Sequence, residues 1–336
     1  MYRITERESL LPHNTFGMDV RAAHFLEYDT VEDLRQVLPV FRTSEWWHIG
    51  RGSNLLFTGD YAGWILHSSI RGSEVMKDDG TDVLLRVGAG EVWDDVVAWA
   101  VAHGLYGAEN LSLIPGETGA AAVQNIGAYG AEAADIISGV VCFDLQERRK
   151  VKFSAAECRY GYRDSLFKQA ESKGRYVVTS VLFRLSRKPR PRLDYKGMRE
   201  ALDGLEPATP QEVREAVIRI RRQKLPDPEE LGSAGSFFKN PVVSREDFAR
   251  ISPDGSAPHY ELPDGTVKIP AAWLIERCGF KGASEGGAAV YEKQPLVLVN
   301  ASGTASPQEV LALESRIISG VQERFGVTLA PEVEHI

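Results

Sequence analysis

Cysteine is scarce in this sequence. Cys142, Cys158 and Cys278 are odd in number, far apart and without C-x-x-C spacing. That excludes a disulfide framework and reads as reduced thiols, buried for packing, in a cytosolic protein. The seven histidines never fall at H-x-x-x-H or H-E-x-x-H spacing, so no protein-built metal site is expected. No apolar run approaches the ~20 residues of a membrane span, and residues 1–14 are charged from Arg3 onward with no apolar signal core. Positive charge is also short. With 39 Lys and Arg against 47 Asp and Glu, the formal charge of −8 argues against a broad nucleic-acid face. A small anion held by a few local cations remains open. The G-x-G-x-x-G turn that opens a helix in dinucleotide-binding folds is missing. No internal repeat or low-complexity tract is present. At 336 residues the chain exceeds one comfortable core, so two or three domains are expected.

Small residues, by contrast, are concentrated. Residues 111–130 read LSLIPGETGAAAVQNIGAYG, with four glycines (Gly116, Gly119, Gly127, Gly130) and a single charge, Glu117. Side chains this small expose backbone N–H groups to a flat or anionic ligand, or they let two core elements pack closely. Pro115-Gly116 marks a turn. Thr118 is placed to cap a short helix over 119–124 whose first amides would favour a phosphate.

A second such loop lies upstream. Residues 24–28 are strand-like, and Thr30-Val-Glu-Asp33 has a capping pattern ahead of a helix to about Phe41. Residues 46–49 form a strand that enters Gly50-Arg-Gly-Ser-Asn54 and leaves as a strand over 55–57. This turn is either an ordinary hairpin or a concentrated set of donors suited to a pyrophosphate. Strand 83–87 and a helix over 91–103, stopped by Gly104, follow. Residues 137–145 and 176–185 are β-rich. Between them, residues 159–168 carry Tyr160, Tyr162, Arg159, Arg163 and Lys168, more polar and aromatic than a packed turn requires.

After Lys188-Pro-Arg-Pro-Arg192 the composition shifts, and a boundary is expected there or at Leu225-Pro-Asp-Pro228. Thr209-Pro-Gln-Glu212 and Ser306-Pro-Gln-Glu309 are capping boxes that launch helices to about Lys224 and Phe325. Residues 271–278 suggest a third helix, residues 295–300 a strand, and 327–336 another. Gly232-Ser-Ala-Gly-Ser-Phe-Phe-Lys-Asn-Pro241 sets a serine between a glycine and two phenylalanines. It lacks G-x-S-x-G spacing, so an acyl-transfer nucleophile is not indicated. A hydroxyl in a half-apolar pocket can serve as a proton donor to a strongly basic carbon centre; a turn pinned by two buried rings is the plain alternative.

Taken in order, Asn14-Thr-Phe-Gly17, Gly50-Arg-Gly-Ser-Asn54, Ile114-Pro-Gly116, Gln124-Asn-Ile-Gly-Ala-Tyr-Gly130, Tyr162-Arg-Asp-Ser165, Lys224-Leu-Pro-Asp-Pro228, Gly235-Ser-Phe-Phe-Lys-Asn-Pro241, Gly286-Gly-Ala-Ala289 and Pro331-Glu-Val333 resemble the UDP-N-acetylenolpyruvoylglucosamine reductase family over nearly the whole chain. The resemblance implies an α+β protein with the FAD-binding fold of the vanillyl-alcohol oxidase type in two subdomains plus a C-terminal α/β substrate-binding domain. The implied division is 1–70 (joined by strand 326–336), 71–224 and 225–325. It further implies FAD held by Gly50, Gly52, Ser53, Asn54, Ile114, Pro115, Gly116, Gly127 and Arg221, with NADPH as reductant. Tyr162, Tyr195, Lys224, Asn240, Tyr260 and Lys268 match positions that contact the nucleotide-sugar substrate, UDP-N-acetylglucosamine enolpyruvate. Tyr260 belongs to an extra loop of one subtype, and Ser284 stands where the family pattern has a longer amide. By the same carry-over, Ser236 protonates the carbon next to the one that takes the hydride. Arg163 and Glu332 polarise the carboxylate, Glu332 as a donor only if its carboxyl holds a proton. A cytoplasmic monomer is expected. A flavin-dependent alcohol or sugar oxidase of the same fold would share the two loops but has no need of Arg163, Ser236 and Glu332 together. A non-catalytic nucleotide-binding protein has no need of the serine at 236.

Overall fold

The structure, a computed structural model, describes residues 1–195, 197–202 and 208–336. They gather into two compact units: Met1–Glu8, Ala22–Arg51 and Ala62–Arg221 in the first, Ser9–Arg21, Gly52–Tyr61 and Arg222–Ile336 in the second. Residues 9–21 and 52–61, inside the segment expected as an N-terminal subdomain, group with the chain beyond 222.

The first unit is built on two sheets. One has the strand order Tyr2–Ser9, Arg21–Tyr28, Tyr61–Ser68, Trp46–Ile49. Its last two strands are parallel, with His48 opposite Leu66, which requires a crossover connection. Helix Val31–Phe41 starts where the Thr30 hydroxyl accepts the Asp33 N–H, as the capping pattern predicts. Its Leu34, Val37, Leu38 and Phe41 pack with Leu26, Tyr28, Trp64 and Leu66 of the sheet.

The other sheet is antiparallel, in the order Arg149–Ser154, Ile137–Asp144, Tyr176–Ser186, Asp82–Gly88, Ser73–Asp78. Helix Trp93–Ala102 contributes Trp93, Val97 and Ala100 to a core shared with Val83, Leu85, Val140, Val181 and Phe183. Much of the small-residue stretch serves this core. Ala121 and Ala122 are buried, and a Cβ on Gly119 would stand 2.9 Å from the Ala89 Cβ. Only small side chains let helix Thr118–Gln124 lie this close to its neighbour.

Thr118 does not cap that helix. Glu117 occupies the cap position, while the Thr118 N–H and hydroxyl both donate to the Glu91 carbonyl, at 2.9 and 3.1 Å, and the Gly119 N–H donates to Ala89 at 2.8 Å. The Gly119 amide, the first of those expected to attract a phosphate, is therefore already satisfied.

The second unit contains the sheet Ser233–Ser236, Val297–Asn300, Ala288–Val290, Ser284–Glu285. Helix Pro307–Phe325 buries Val310, Leu313, Ile317 and Val321, and its capping box forms as expected at Ser306 and Glu309. A small sheet joins Val242–Val243, Val267–Lys268 and Tyr260–Glu261. Leu55–Leu56 pairs in parallel with Glu334–His335. The strand expected over 327–336 is thus reduced to two residues. Pro331 has no N–H to donate, and it forms an isolated bridge with Phe238 rather than part of a continuous strand.

Cys142 and Cys158 are buried thiols, whereas Cys278 is only half-buried. Among the described residues, no helix is long and apolar enough to cross a membrane. Nor do any three His, Cys, Asp or Glu side chains among them stand together to hold a metal ion.

Candidate active site

In the first unit the Gly50 and Ile114–Gly116 turns rest on one carboxylate. Gly116, with φ +131°, is followed by Glu117, and a Cβ on Gly50 would lie 3.3 Å from Glu117 Oε2 and 3.2 Å from the Ala120 Cβ. Leu113, at φ +58°, donates its N–H to Asp94. The Asp94 carboxylate also takes both Arg214 guanidinium nitrogens, at 2.6 and 2.8 Å. A fork-on-fork pair of this kind fixes direction as well as distance. It ties helix Pro210–Lys224, the carrier of Arg221, to the residues just ahead of Ile114.

Arg163 sits at the tip of a tight turn. Gly161 and Asp164 exchange backbone hydrogen bonds at 3.0 and 3.1 Å, which leaves Tyr162 and Arg163 at the corner, Arg163 with φ +54°. Non-glycine residues seldom adopt this conformation, and it clusters at functional positions. The Arg163 guanidinium donates to the Gly127 carbonyl at 2.7 Å and stands over the Tyr162 ring at 5.5 Å. A Cβ on Gly127 would meet Arg163 Nη1 at 2.9 Å, so the glycine makes room for the guanidinium.

The residue that organises this corner was not singled out in the sequence. Asn125, with φ +45°, donates to Glu132 and to the Gly161 carbonyl at 2.8 Å each, and accepts the Ala134 N–H at 2.9 Å. Its place in Gln124-Asn-Ile-Gly127 was the available signal, since Asn tolerates the left-handed region and bonds its surroundings.

Tyr195 meets Tyr129 edge to face at 5.3 Å. Arg221 faces the same Tyr129; burial pulls its guanidinium down from the usual value, against the opposing pull of Tyr129 and Asp94. The Arg221 Nε is enclosed and has no hydrogen-bond partner among the described residues. A buried, unsatisfied donor is expensive unless something else accepts from it.

In the second unit, Ser236 ends a strand bent by Gly235, whose φ is +73°. The half-buried serine is followed by Phe237 and Phe238, which are fully buried. Glu332 lies beside this segment: its N–H donates to the Phe237 carbonyl at 2.8 Å, and Lys239 donates to Ala330 at 2.9 Å. The Asn54 side chain donates to the Glu332 carbonyl at 3.1 Å. Gly52 and Ser53 precede Asn54, and Thr15 donates its N–H to the Gly52 carbonyl and its hydroxyl to Ser233, at 3.3 and 2.7 Å. The structure therefore brings together Gly52, Ser53, Asn54, Ser236 and Glu332, and explains Asn14-Thr-Phe-Gly17 as the brace between them. Asn54, expected as a flavin contact, uses part of its donor capacity within the protein.

Lys224 is exposed at the end of its helix. Asn240 accepts the Ala271 N–H at 2.9 Å and so anchors helix Ala271–Arg277, which leaves its NH₂ group for a ligand. Val242, Lys268 and Tyr260 are cross-strand neighbours, and the Lys268 ammonium stands 5.6 Å from the centre of the exposed Tyr260 ring. An ammonium beside an exposed phenol is suited to an anionic, ring-bearing ligand.

Both units contain segments that resemble known proteins. Residues 22–146 match the family model described as FAD binding domain, and residues 227–336 match UDP-N-acetylenolpyruvoylglucosamine reductase, C-terminal domain. The chain is 50% identical to UDP-N-acetylenolpyruvoylglucosamine reductase of Bacteroides fragilis, covering 98% of this chain and 99% of that protein. It is 47% identical to the enzyme of the same name from Chromobacterium violaceum, over 96% of each. The crystal structure of UDP-N-acetylenolpyruvylglucosamine reductase from Thermus caldophilus superposes with a TM-score of 0.71 at 25% identity, covering 100% of this chain and 99% of that one. By sequence over nearly its full length and by fold, the chain belongs to the UDP-N-acetylenolpyruvoylglucosamine reductase family of FAD-dependent enzymes.

Proposed function

We propose that the chain reduces the enolpyruvyl double bond of UDP-N-acetylglucosamine enolpyruvate to give UDP-N-acetylmuramate, a step of peptidoglycan precursor synthesis, in the cytoplasm and as a monomer. The observation that carries this reading is the pairing of Ser236 with Glu332. A half-buried hydroxyl and a half-buried carboxyl are set on adjoining backbone segments, joined by the hydrogen bond from Glu332 to Phe237.

The residues present fit FAD. The enclosed Arg221 Nε lacks an acceptor among the described residues, and Gly50, Gly52, Gly116 and Gly127 carry no side chain of their own to stand between their backbone and a ligand. Ile114, Pro115, Ser53 and Asn54 complete the set assigned to the flavin. When bound, FAD supplies the hydride, drawn from NADPH, to the terminal vinyl carbon.

The chain's own groups do the rest. Ser236 gives its hydroxyl proton to the carbon that bears the carboxylate, where negative charge would otherwise collect; that charge makes a weak acid sufficient. Arg163, held by the Gly127 carbonyl, presents a fixed positive charge to the carboxylate, and Glu332 is its hydrogen-bonding partner, a donor only if its carboxyl holds a proton. Tyr162, Tyr195, Lys224, Asn240, Tyr260 and Lys268 hold the nucleotide sugar, with Lys224 and Lys268 on its phosphates, and the segment 225–325 is the substrate-binding domain.

Anaerobic absorbance tests the reading. NADPH should bleach the flavin bands, and UDP-N-acetylglucosamine enolpyruvate should restore them. In Ser236→Ala the bleaching should persist while turnover falls by about 10²–10⁴-fold, the scale of general acid catalysis. Bleaching without recovery in the wild-type protein would refute the substrate, and normal turnover in the variant would remove Ser236 from its role.

A further inference from the structure

The first unit holds a buried polar chain that none of these roles uses. His67 lies near the end of strand Tyr61–Ser68, with 12% of its side chain exposed. Its Nδ1 stands 3.2 Å from Glu27 Oε1 and its Nε2 3.0 Å from Glu117 Oε1. Glu27 also accepts the Ser69 hydroxyl at 2.9 Å and lies 3.4 Å from the Arg3 guanidinium. Glu117 is 4% exposed, directly follows Gly116, and has Oε2 against Gly50. One buried carboxylate thus underlies both loops assigned to the cofactor.

An imidazole between two carboxylates satisfies both only as the imidazolium, with each ring nitrogen a donor. The neutral ring would leave a lone pair facing either the buried Glu117 or the part-exposed Glu27. Burial pulls His67 down, but the hydrogen bonds and charges of Glu117 and then Glu27 outweigh it and raise it above the usual histidine value. Tyr28 and the half-buried His48, bonded to each other at 2.7 Å, lie within electrostatic reach of Glu117 and His67, and the Arg3 guanidinium within reach of Glu27. Burial keeps the Tyr28 phenol protonated and pushes His48 down to about 3, so neither is charged near neutrality. A Glu117 carboxylate left uncompensated beside Gly50 would repel an anionic ligand. Neutralised by His67, it can brace the turn without that penalty.

We propose that His67 is a positioning residue for FAD: its imidazolium neutralises and fixes Glu117, so that this carboxylate can hold the Gly50 turn beside Gly116 without opposing the cofactor's phosphates. The inference rests on the assignment of those loops to FAD. The test is titration of FAD into the apoprotein, followed by flavin fluorescence, for wild type, His67→Gln and the double variant His67→Gln/Glu117→Gln. The single variant should bind FAD about tenfold more weakly, the scale of one hydrogen bond to a charged group. The double variant should recover to within about threefold of wild type, because a neutral amide pair restores the contact without the stray charge. In wild type the affinity should fall as pH rises through the His67 value, and His67→Gln should show no such dependence.

A single variant within twofold of wild type, or a double variant weaker than the single, would overturn the proposal. Circular dichroism of the apoproteins checks folding. Should the single variant fail to fold, the double variant decides alone: near-wild-type affinity supports the proposal and a tenfold loss refutes it. Wild-type protein that does not bind FAD would refute the cofactor assignment itself, whereas wild-type binding with unaltered variants would refute only the role of His67.

Discussion

Gly52→Ala is the substitution whose cost the structure fixes most closely. Gly52 has φ +64°, and a Cβ there would collide with the His13 carbonyl oxygen and stand 2.8 Å from the Asn14 Cα. The left-handed conformation costs a non-glycine residue about 1–2 kcal/mol. The contact adds about 1–3 kcal/mol, as overpacking does, because the opposing atoms are backbone and cannot rotate away. Nor can that backbone retreat easily: the Asn14 side chain donates to Leu10 and Met18 carbonyls at 2.7 and 3.1 Å and accepts the Met18 N–H at 2.9 Å. The expected loss is therefore about 2–5 kcal/mol, a large share of the 5–15 kcal/mol typical of native proteins. Gly326→Ala is the internal control. Gly326 has φ +70° at the end of helix Pro307–Phe325 but nothing within 4 Å of its would-be Cβ. It should lose only the conformational part, about 1–2 kcal/mol. Urea unfolding followed by far-ultraviolet circular dichroism gives both values from the midpoint and slope. If Gly52→Ala proves no more costly than Gly326→Ala, the close-approach argument fails.

Two further outcomes follow from charge. Burial pushes His48 down to about 3, so the unfolded chain takes up a proton there before the folded one does. This group's contribution is complete above about pH 6.5 and declines as pH falls toward 3, by at most about 1.4 kcal/mol per pH unit; His48→Gln should flatten that part of a stability–pH curve, and an unchanged slope would exclude His48. Asp144 is 1% exposed and accepts from Arg175 at 2.8 and 3.1 Å. Burial would raise its carboxyl, but Arg175 and the Glu147 and Gln146 amides prevail and lower it, so this stabilisation holds above the ordinary carboxylate range and is lost as pH falls through the depressed value. Arg175→Ala should cost about 1.5–3 kcal/mol in urea unfolding at neutral pH, and a change below about 0.5 kcal/mol would mean that the backbone amides suffice.

Capping boxes and glycine-rich turns made much of the architecture legible. Thr30, Thr209 and Ser306 mark helices that begin where their patterns place them, because a cap is a local hydrogen bond written within four residues. Strands were harder. Tyr2–Ser9, Ser73–Asp78 and Arg149–Ser154 lie at sheet edges and are largely exposed, so they lack the alternation that marks a half-buried strand. Tyr61–Ser68 was missed for another reason: its central residues are buried on both faces, which erases the alternation from within. In the site, Gly52 and the serine at 236 announced themselves by composition. The His67–Glu117 contact did not, because it depends on which distant strands become neighbours and in what register. Thr118 misled for a related reason, since its hydroxyl found a carbonyl that only the tertiary fold supplies.

The pairing of Leu55–Leu56 with Glu334–His335 has a consequence for biosynthesis. Asn54 and the Glu332 carbonyl it binds are 278 residues apart in the chain. At ribosomal rates of about 5–20 residues per second, the turn at Gly52 waits roughly 15–60 s for its partner to be made. During that interval Leu56 and Phe57, fully buried in the finished protein, have no final place. A nascent chain stalled before residue 332 should therefore present this short apolar segment to whatever chaperone stands at the tunnel exit.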